Sequence, residues 1–214
     1  MYFLTKKITR GNLSKLIEKY KTDEKVLDLG SAHSPYSHWF PNRVSVDIDR
    51  ESGADIICDA HDLKVESGTF NFVLCTEMLE HMYNPQKAVD EIYRVLKPGG
   101  TVLLTTRFIY GLHEVPYDYF RFTKYGLQEL FKKFEILELK EETTNFETLG
   151  ALTQRLVFQS KFRGGKFTKV VLLIFAKFLV TLNFLILKQY GNIKKSVEEQ
   201  NILATGYIIV CKKK

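Results

Sequence analysis

Cysteine is scarce in this sequence. The 214 residues contain Cys58, Cys75 and Cys211, which stand far apart and form no CxxC pair. Such spacing predicts neither a zinc site nor a disulfide framework, and no metal site is predicted elsewhere. Few cysteines without a pairing pattern favour a reducing, cytoplasmic compartment.

Neither an export signal nor an interdomain linker is predicted. The opening residues MYFLTKKITRGN lack the apolar core of about 7–15 residues that a signal peptide needs. No Pro/Gly-rich stretch divides the chain, and 45% hydrophobic residues suffice for a core. A single domain spanning residues 1–214 is therefore predicted. The net charge of +6 fits either simple solubility or an acidic partner.

What the sequence does contain is a regular alternation of strand and helix patterns. Helices are predicted over Asn12–Tyr20 and Pro85–Leu96, the second ended by Pro98-Gly99-Gly100. Strands that alternate with helices form a mostly parallel α/β sheet, which binds ligands outside the carboxyl ends of its strands. The seven predicted strands are KVLDLG, RVSVDID, ADIICDA, FNFVLCT, TVLLTT, FEILELK and TGYIIVCKK.

Residues 143–203 break this alternation and predict a helical insert between the sixth and seventh strands. Their most apolar part, residues 170–187, is 18 residues long, about the length that spans a bilayer. Spanning is nevertheless disfavoured, because a lysine at the centre costs roughly 2.5–3.5 kcal/mol. The final strand must also return to the sheet, so a single crossing is excluded.

Drawn as a helix, the insert has an apolar face and a basic sector. The pattern predicts peripheral membrane contact through residues 161–190 at the inner face of the membrane, with Lys161 and Arg163 attracted to anionic lipid. The competing interpretation is packing against the sheet or against a second subunit of a homo-oligomer. The polar sector, about a third of the circumference, consists of Lys166, Lys169, Lys177, Thr181 and Lys188.

A nucleotide-like ligand on such a sheet needs a tight turn after the first strand and an acid after the second. Strand VLDL ends in Gly30, and strand VSVD ends in Asp47, whose carboxylate can accept both ribose hydroxyls. Asp49 is the alternative, since it lies two residues on and shares the same face. A strand followed by an acid is common in α/β proteins, so these two features alone decide nothing.

The order of several segments carries more information. VLDLGSAHSPY, VSVDID, DAHDL, FNFVLCTEMLEHM and RVLKPGGTVLLTT together resemble the class I S-adenosylmethionine-dependent methyltransferases from about Lys25 to Leu139, and again from Thr205. The resemblance implies a Rossmann-like sheet with helices on both faces and an antiparallel last strand placed between the fifth and sixth. It implies S-adenosylmethionine as cofactor, with contacts from Asp28, Gly30, Ser31, Ala32, Asp47, Asp59, Ala60, Cys75 and Thr76.

The cofactor loop departs from the family at Ala32, where a second glycine usually stands. If that position needs a positive φ, alanine strains the backbone by about 1 kcal/mol. A cofactor-binding protein with weak or no catalysis is therefore kept as an alternative.

The methyl acceptor is expected near the residues that follow the fourth and fifth strands. TEMLEHM supplies Glu77, Glu80 and His81, and the loop YGLHEVPYDYFRFT resembles that of a methyltransferase branch associated with surface glycan synthesis. The predicted acceptor is a hydroxyl of a sugar or lipid-linked glycan, and the alternative is a quinone-type, lipid-soluble molecule. The catalytic candidates are His113, His81, Asp118, Tyr119 and Arg121.

Structural roles compete with each of these assignments. Arg121 can simply pair with Asp118, Thr123 can cap the next helix, and His81 can be a packed histidine beside the site. Nucleic-acid binding is suggested by charge alone and is not predicted, since the basic residues accompany an apolar run.

Overall fold

The computed structural model describes residues 2–31 and 34–214. Within them, seven strands form one sheet in the order β3-β2-β1-β4-β5-β7-β6. The last strands are antiparallel, and the predicted Rossmann-like fold is confirmed. The strands are β1 (Val26–Leu29), β2 (Arg43–Asp47), β3 (Ile56–Ile57), β4 (Phe70–Thr76), β5 (Leu96–Arg107), β6 (Phe134–Glu141) and β7 (Gly206–Lys213).

The parallel strands bring their carboxyl ends to one edge. β1 pairs in parallel with β2 on one side and β4 on the other, with Leu29 opposite Val46 and Cys75. β3 extends β2, and β5 extends β4. Because β1 is buried on both faces, all four of its residues are hidden, as expected for a central parallel strand. The loops after β1, β2, β3 and β4 therefore meet at one edge.

The predicted helices form, with corrections at their ends. The first predicted helix is shifted by one or two residues, and the second ends at Val95 because β5 begins at Leu96. Pro98-Gly99-Gly100 therefore lies in β5 and does not end the helix. Asn84 caps that helix by accepting from the Lys87 N–H at 3.1 Å. The helices are α1 (Tyr2–Thr5), α2 (Arg10–Lys19), α3 (Pro85–Val95), α4 (Lys124–Leu130), α5 (Asn145–Gln159) and α6 (Gly165–Thr181).

The chain divides into two compact units. The larger holds residues 16–108, 112–140 and 207–214, and the smaller holds the residues before Leu16 together with 109–111 and 141–206. The whole predicted insert, residues 143–203, thus belongs to the smaller unit. The single-domain interpretation of residues 1–214 stays a prediction.

The smaller unit is held together by polar contacts to the chain's first residues. The Gln154 amide of α5 donates to the carbonyls of Leu4 and Lys6, both at 3.1 Å, and accepts from the Ile8 N–H at 3.2 Å. The helices α5 and α6 pack closely enough that a Cβ at Gly150 would lie 2.6 Å from the Ala176 carbonyl oxygen. A glycine at that crossing lets the two helices approach.

The apolar insert is less helical than predicted. Helix α6 ends at Thr181 and a 3-10 turn, Leu182–Leu185, follows it. Lys188 therefore lies beyond the helix, which corrects its placement in the polar sector. Thr181 and Asn183 have low helix propensity, which fits the end of the helix at this point.

Candidate active site

A cavity opens at the carboxyl ends of β1, β2, β3 and β4. Its volume is about 370 Å³, within the range for small-molecule sites. Predicted cofactor residues and residues of the acceptor group both line it. The lining comprises Leu29, Gly30, Val46, Asp47, Ile48, Cys58, Asp59, Ala60, Glu77, Met78, His81, Met82 and Glu114.

Gly30 allows the chain to turn sharply after β1. Its φ is +68°, and a Cβ at this position would lie 3.0 Å from Cγ of Met78. The Gly30 N–H donates to the Val46 carbonyl at 2.9 Å, so the loop begins in register with β2. Backbone geometry and space therefore both require glycine, and the bare backbone forms a cradle that a side chain would fill.

The two acids after β2 are placed differently. Asp47 is half-buried and lines the cavity, and its Oδ1 accepts from the Asp49 N–H at 3.0 Å. Asp49 is exposed and accepts from the Glu51 N–H at 2.9 Å, within the following turn. Asp47 is thus better placed than Asp49 to receive a ribose.

Asp59 is oriented by His61, a residue whose role the sequence did not indicate. Oδ1 of Asp59 accepts from the His61 N–H at 2.8 Å and lies 2.6 Å from its ring Nδ1. His61 Nε2 accepts from the Asn84 N–H at 3.3 Å, so Nδ1 carries the proton and donates to Asp59. Burial raises the pKa of Asp59, but these hydrogen bonds outweigh it and hold that pKa below its ordinary value.

Replacing His61 by phenylalanine should loosen Asp59 without emptying the space. The ring can still stack on Tyr83, whose centroid lies 4.1 Å away, but both ring hydrogen bonds are lost. If the loss of this orientation costs about 1 kcal/mol of binding free energy, the affinity for S-adenosylmethionine should be roughly fivefold weaker. Calorimetric titration measures it, with His38→Phe on the exposed surface as control. An unchanged affinity in His61→Phe would contradict this role.

The remaining predicted cofactor residues lie outside the lining that the described residues form. Asp28 is buried and bound to Nη1 of Arg43 at 2.9 Å; burial raises its pKa to about 6 despite that partner. Cys75 is fully buried, which raises the pKa of its thiol. Ser31 is buried and Thr76 half-buried at the ends of β1 and β4, and Ala32 lies outside the described residues. Their contacts with a cofactor stay predictions.

Two acids of TEMLEHM have distinct partners. Glu77, whose φ is +53°, forms an ion pair with Arg107, a buried arginine at the end of β5. Glu80 is fully buried, and its Oε2 accepts from Thr106 Oγ1 at 2.7 Å. Burial raises the pKa of Glu80, but the neighbouring His113, the hydrogen bond from Thr106 and the charge of Arg107 keep that pKa below its usual value. Arg107 was not among the predicted site residues.

The loop after β5 brings several candidates together. Asp118 accepts from both Nη1 and Nη2 of Arg121, at 2.6 and 2.7 Å, so this predicted ion pair forms. The Arg121 guanidinium is the main reason that the pKa of Asp118 lies well below its ordinary value. His113 places Nδ1 at 3.4 Å from Asp118 Oδ2 and Nε2 at 3.8 Å from Glu80 Oε1. Both nitrogens of His113 therefore face carboxylates.

The other predicted candidates occupy the edges of this group. His81 lines the cavity, and its Nδ1 lies 2.8 Å from the Tyr117 carbonyl oxygen. The side chain of Tyr119 is exposed, and its N–H donates to the Glu80 carbonyl. Thr123 caps α4 by accepting from the Gly126 N–H at 3.1 Å, which is its structural interpretation. Catalytic roles for these residues stay predictions.

Comparison with known proteins bears on the class of this site. Residues 27–104 match the methyltransferase domain family. That match covers somewhat more than a third of the chain. Its fold is that of the class I S-adenosylmethionine-dependent methyltransferases, which confirms the resemblance seen in the sequence. The domain implies S-adenosylmethionine as cofactor, and the Gly30 cradle and the Asp47 carboxylate fit it. The narrower resemblance to the glycan branch stays a prediction.

Individual relatives show how far the likeness extends. A ubiquinone biosynthesis O-methyltransferase of Pectobacterium atrosepticum is 33% identical over 98 residues, 45% of this chain and 38% of that protein. The chain thus spans well under half the length of that relative.

Two solved structures share the fold. A methyltransferase-like protein of Bacillus halodurans is 18% identical, with a TM-score of 0.59 over 95% of this chain and 99% of that one. Phosphoethanolamine N-methyltransferase 2 of Haemonchus contortus, solved with S-adenosylhomocysteine, is 21% identical, with a TM-score of 0.57 over 95% of this chain and 53% of that one.

Proposed function

We propose that this protein transfers a methyl group from S-adenosylmethionine to a hydroxyl oxygen of a small-molecule acceptor. The observation that carries the proposal is that one cavity is lined both by Asp47 and Asp59 and by Glu77 and His81. S-adenosylmethionine supplies an electrophilic methyl group on sulfur. Gly30, Asp47 and Asp59 hold its adenosyl part, so that the acceptor oxygen approaches from the His81 end.

The acceptor class follows from which polar groups are already paired. In the acceptor loop, Arg121 is engaged by Asp118, and Arg107 is engaged by Glu77, so fewer charged groups face a sugar than the sequence predicts. The relative from Pectobacterium is named an O-methyltransferase of ubiquinone biosynthesis. Together these favour a lipid-soluble phenol of the quinone type. A lipid-linked glycan is the second candidate, favoured by the exposed aromatic rings of Tyr117 and Tyr119.

A turnover assay with radiolabelled methyl donor tests both candidates. We expect methyl transfer to a prenylated catechol and little transfer to a lipid-linked oligosaccharide. Transfer to the oligosaccharide alone would establish the second candidate instead. Binding of S-adenosylmethionine without transfer to any hydroxyl acceptor would support the cofactor-binding alternative and contradict the proposal.

We further propose that α6 docks the protein on the cytoplasmic face of an anionic membrane. The segment Gly165–Leu185 is long and apolar enough to cross a membrane by length and composition. Only 11% of its most apolar 18-residue stretch is buried. One face of α6 carries large apolar side chains that are 47–77% exposed. This face consists of Phe167, Val171, Ile174, Phe175 and Phe178.

The charges around that face favour a lipid surface over an apolar partner. Lys161, Arg163 and Lys166 are exposed at the start of α6, and Lys188 follows its end. Lys177 is not part of that face, and its Nζ donates to the Lys6 carbonyl at 2.9 Å. Exposed cations at both ends of an apolar face complement anionic headgroups.

Phe175→Glu should abolish vesicle binding. A carboxylate on the apolar face would lose its water on insertion, and anionic lipid would repel it. We therefore expect at least a tenfold loss of co-sedimentation with phosphatidylglycerol vesicles. Leu137→Glu is the matched control, because Leu137 is 50% exposed and Phe175 49%. Loss of self-association without any effect on vesicle binding would show that the face joins two copies, and would refute docking.

A further inference from the structure

Three potential metal ligands converge beside the acceptor end of the cavity. Glu80, His81 and His113 each offer a ligand atom, and these atoms all lie within 4.8 Å of one another. We propose that this Glu-His-His cluster binds a divalent transition-metal ion that holds the acceptor hydroxyl. The role in catalysis rests on the function proposed above, whereas metal binding itself does not.

Glu80 supplies the strongest argument. Its Oε2 is held by Thr106, but its Oε1 is buried without a hydrogen-bond partner among the described residues. Burying an unpaired carboxylate oxygen is costly, so such an atom points to a ligand that would satisfy it. Nε2 of His113 lies 3.8 Å from this oxygen. A cation between the two atoms would bind both after a small contraction.

Both histidines are oriented as metal ligands are. The Tyr117 carbonyl can only accept, so Nδ1 of His81 carries the proton and its Nε2 keeps a lone pair. Asp118 Oδ2 lies 3.4 Å from Nδ1 of His113, and Nε2 of the same ring lies 3.8 Å from Glu80 Oε1. Carbonyls and carboxylates on the second ring nitrogen are typical of metal-bound histidines, because they fix the tautomer and the ring orientation.

The positive charges of the nearby arginines do not prevent a cation from binding at this cluster. Arg107 is paired with Glu77 and Arg121 with Asp118, so each positive charge is offset by a carboxylate. Two histidines and one carboxylate suit Zn²⁺, Mn²⁺, Co²⁺ or Fe²⁺, and leave positions for oxygen ligands. This departs from the sequence prediction of no metal, which considered cysteine spacing and could not place His113 beside Glu80.

A cation here would prepare the acceptor for methyl transfer. His81 lines the cavity, so an acceptor hydroxyl can bind the ion from that side. The ion lowers the pKa of the hydroxyl, whose proton passes to solvent. The oxygen lone pair then forms the new C–O bond as the C–S bond breaks, and S-adenosylhomocysteine leaves with the sulfur electrons.

The test is titration of the chelator-treated full chain with Zn²⁺, and with Co²⁺ followed by its visible absorption. We expect one ion per chain, and at least a 100-fold weaker affinity in His81→Ala and in Glu80→Gln. His38→Ala, at an exposed histidine, is the control for adventitious binding and should bind as the wild type does. Circular dichroism verifies the fold of each variant, and His81→Ala keeps the test valid if the buried Glu80→Gln fails to fold.

Two results would overturn the metal site. One is a folded wild-type chain that binds no ion, and the other is an affinity that His81→Ala leaves unchanged. Titration with S-adenosylmethionine in the same samples separates the proposals. Metal binding without cofactor binding would contradict the proposed function alone, and cofactor binding without metal binding would contradict this site alone.

Discussion

Replacing Asp47 by asparagine is expected to weaken S-adenosylmethionine binding about 30- to 100-fold, because a carboxylate accepting two ribose hydroxyls is worth roughly 2–3 kcal/mol. Asparagine has nearly the same shape, and it can still accept from the Asp49 N–H. The loop should therefore remain folded, and the loss should appear in affinity and not in thermal stability. Calorimetric titration of both proteins measures it.

Asp49 provides the matched control for this substitution. It follows Asp47 by two residues in VDID but is exposed outside the cavity and bonded within its own turn. Asp49→Asn should leave the affinity within about twofold of the wild type, since surface substitutions have small effects. A larger loss in Asp49→Asn than in Asp47→Asn would show that the sheet presents the other acid to the ribose.

Gly30→Val should reduce cofactor affinity at least 100-fold. The φ of +68° is strained for a β-branched residue, and the added Cβ would meet Cγ of Met78 at 3.0 Å. Since backbone strain and overpacking each cost about 1–3 kcal/mol, the melting temperature should also fall. The side chain would in addition occupy the cradle that approaches the cofactor. Thermal melts and titration measure the two effects separately.

Gly53→Val isolates the effect of backbone strain. Gly53 has a φ of +71°, close to that of Gly30, but a Cβ there meets nothing within 4 Å. This variant should lose about 1–2 kcal/mol of unfolding free energy and keep its cofactor affinity. If both variants bind the cofactor as the wild type does, Gly30 has no part in the site.

The strands could be predicted because their signal is local. Short runs of β-branched residues bounded by Gly, Asp and Asn identified all seven, and the order of motifs correctly placed β7 between β5 and β6. Helix ends were less accurate. Leu96 continues the apolar pattern of α3 but begins β5, because pairing with Phe70 overrides the helical periodicity at that point.

The cofactor side of the site was more predictable than the acceptor side. Gly30, Asp47, Asp59 and Ala60 line the cavity because each follows a strand end, which sequence order reveals. The Arg107–Glu77 pair and the approach of His113 to Glu80 join residues about 30 positions apart, and no local pattern encodes such contacts. His61 was missed for another reason, since its ring bonds to Asn84 at the start of α3.

The most direct test of the central claim is a crystal structure of the protein with S-adenosylhomocysteine. We expect ribose hydroxyls within hydrogen-bond distance of Asp47, adenine beside Asp59 and Ala60, and the sulfur directed toward His81. A ligand bound elsewhere, or a ribose held by another residue with Asp47 turned away, would contradict it.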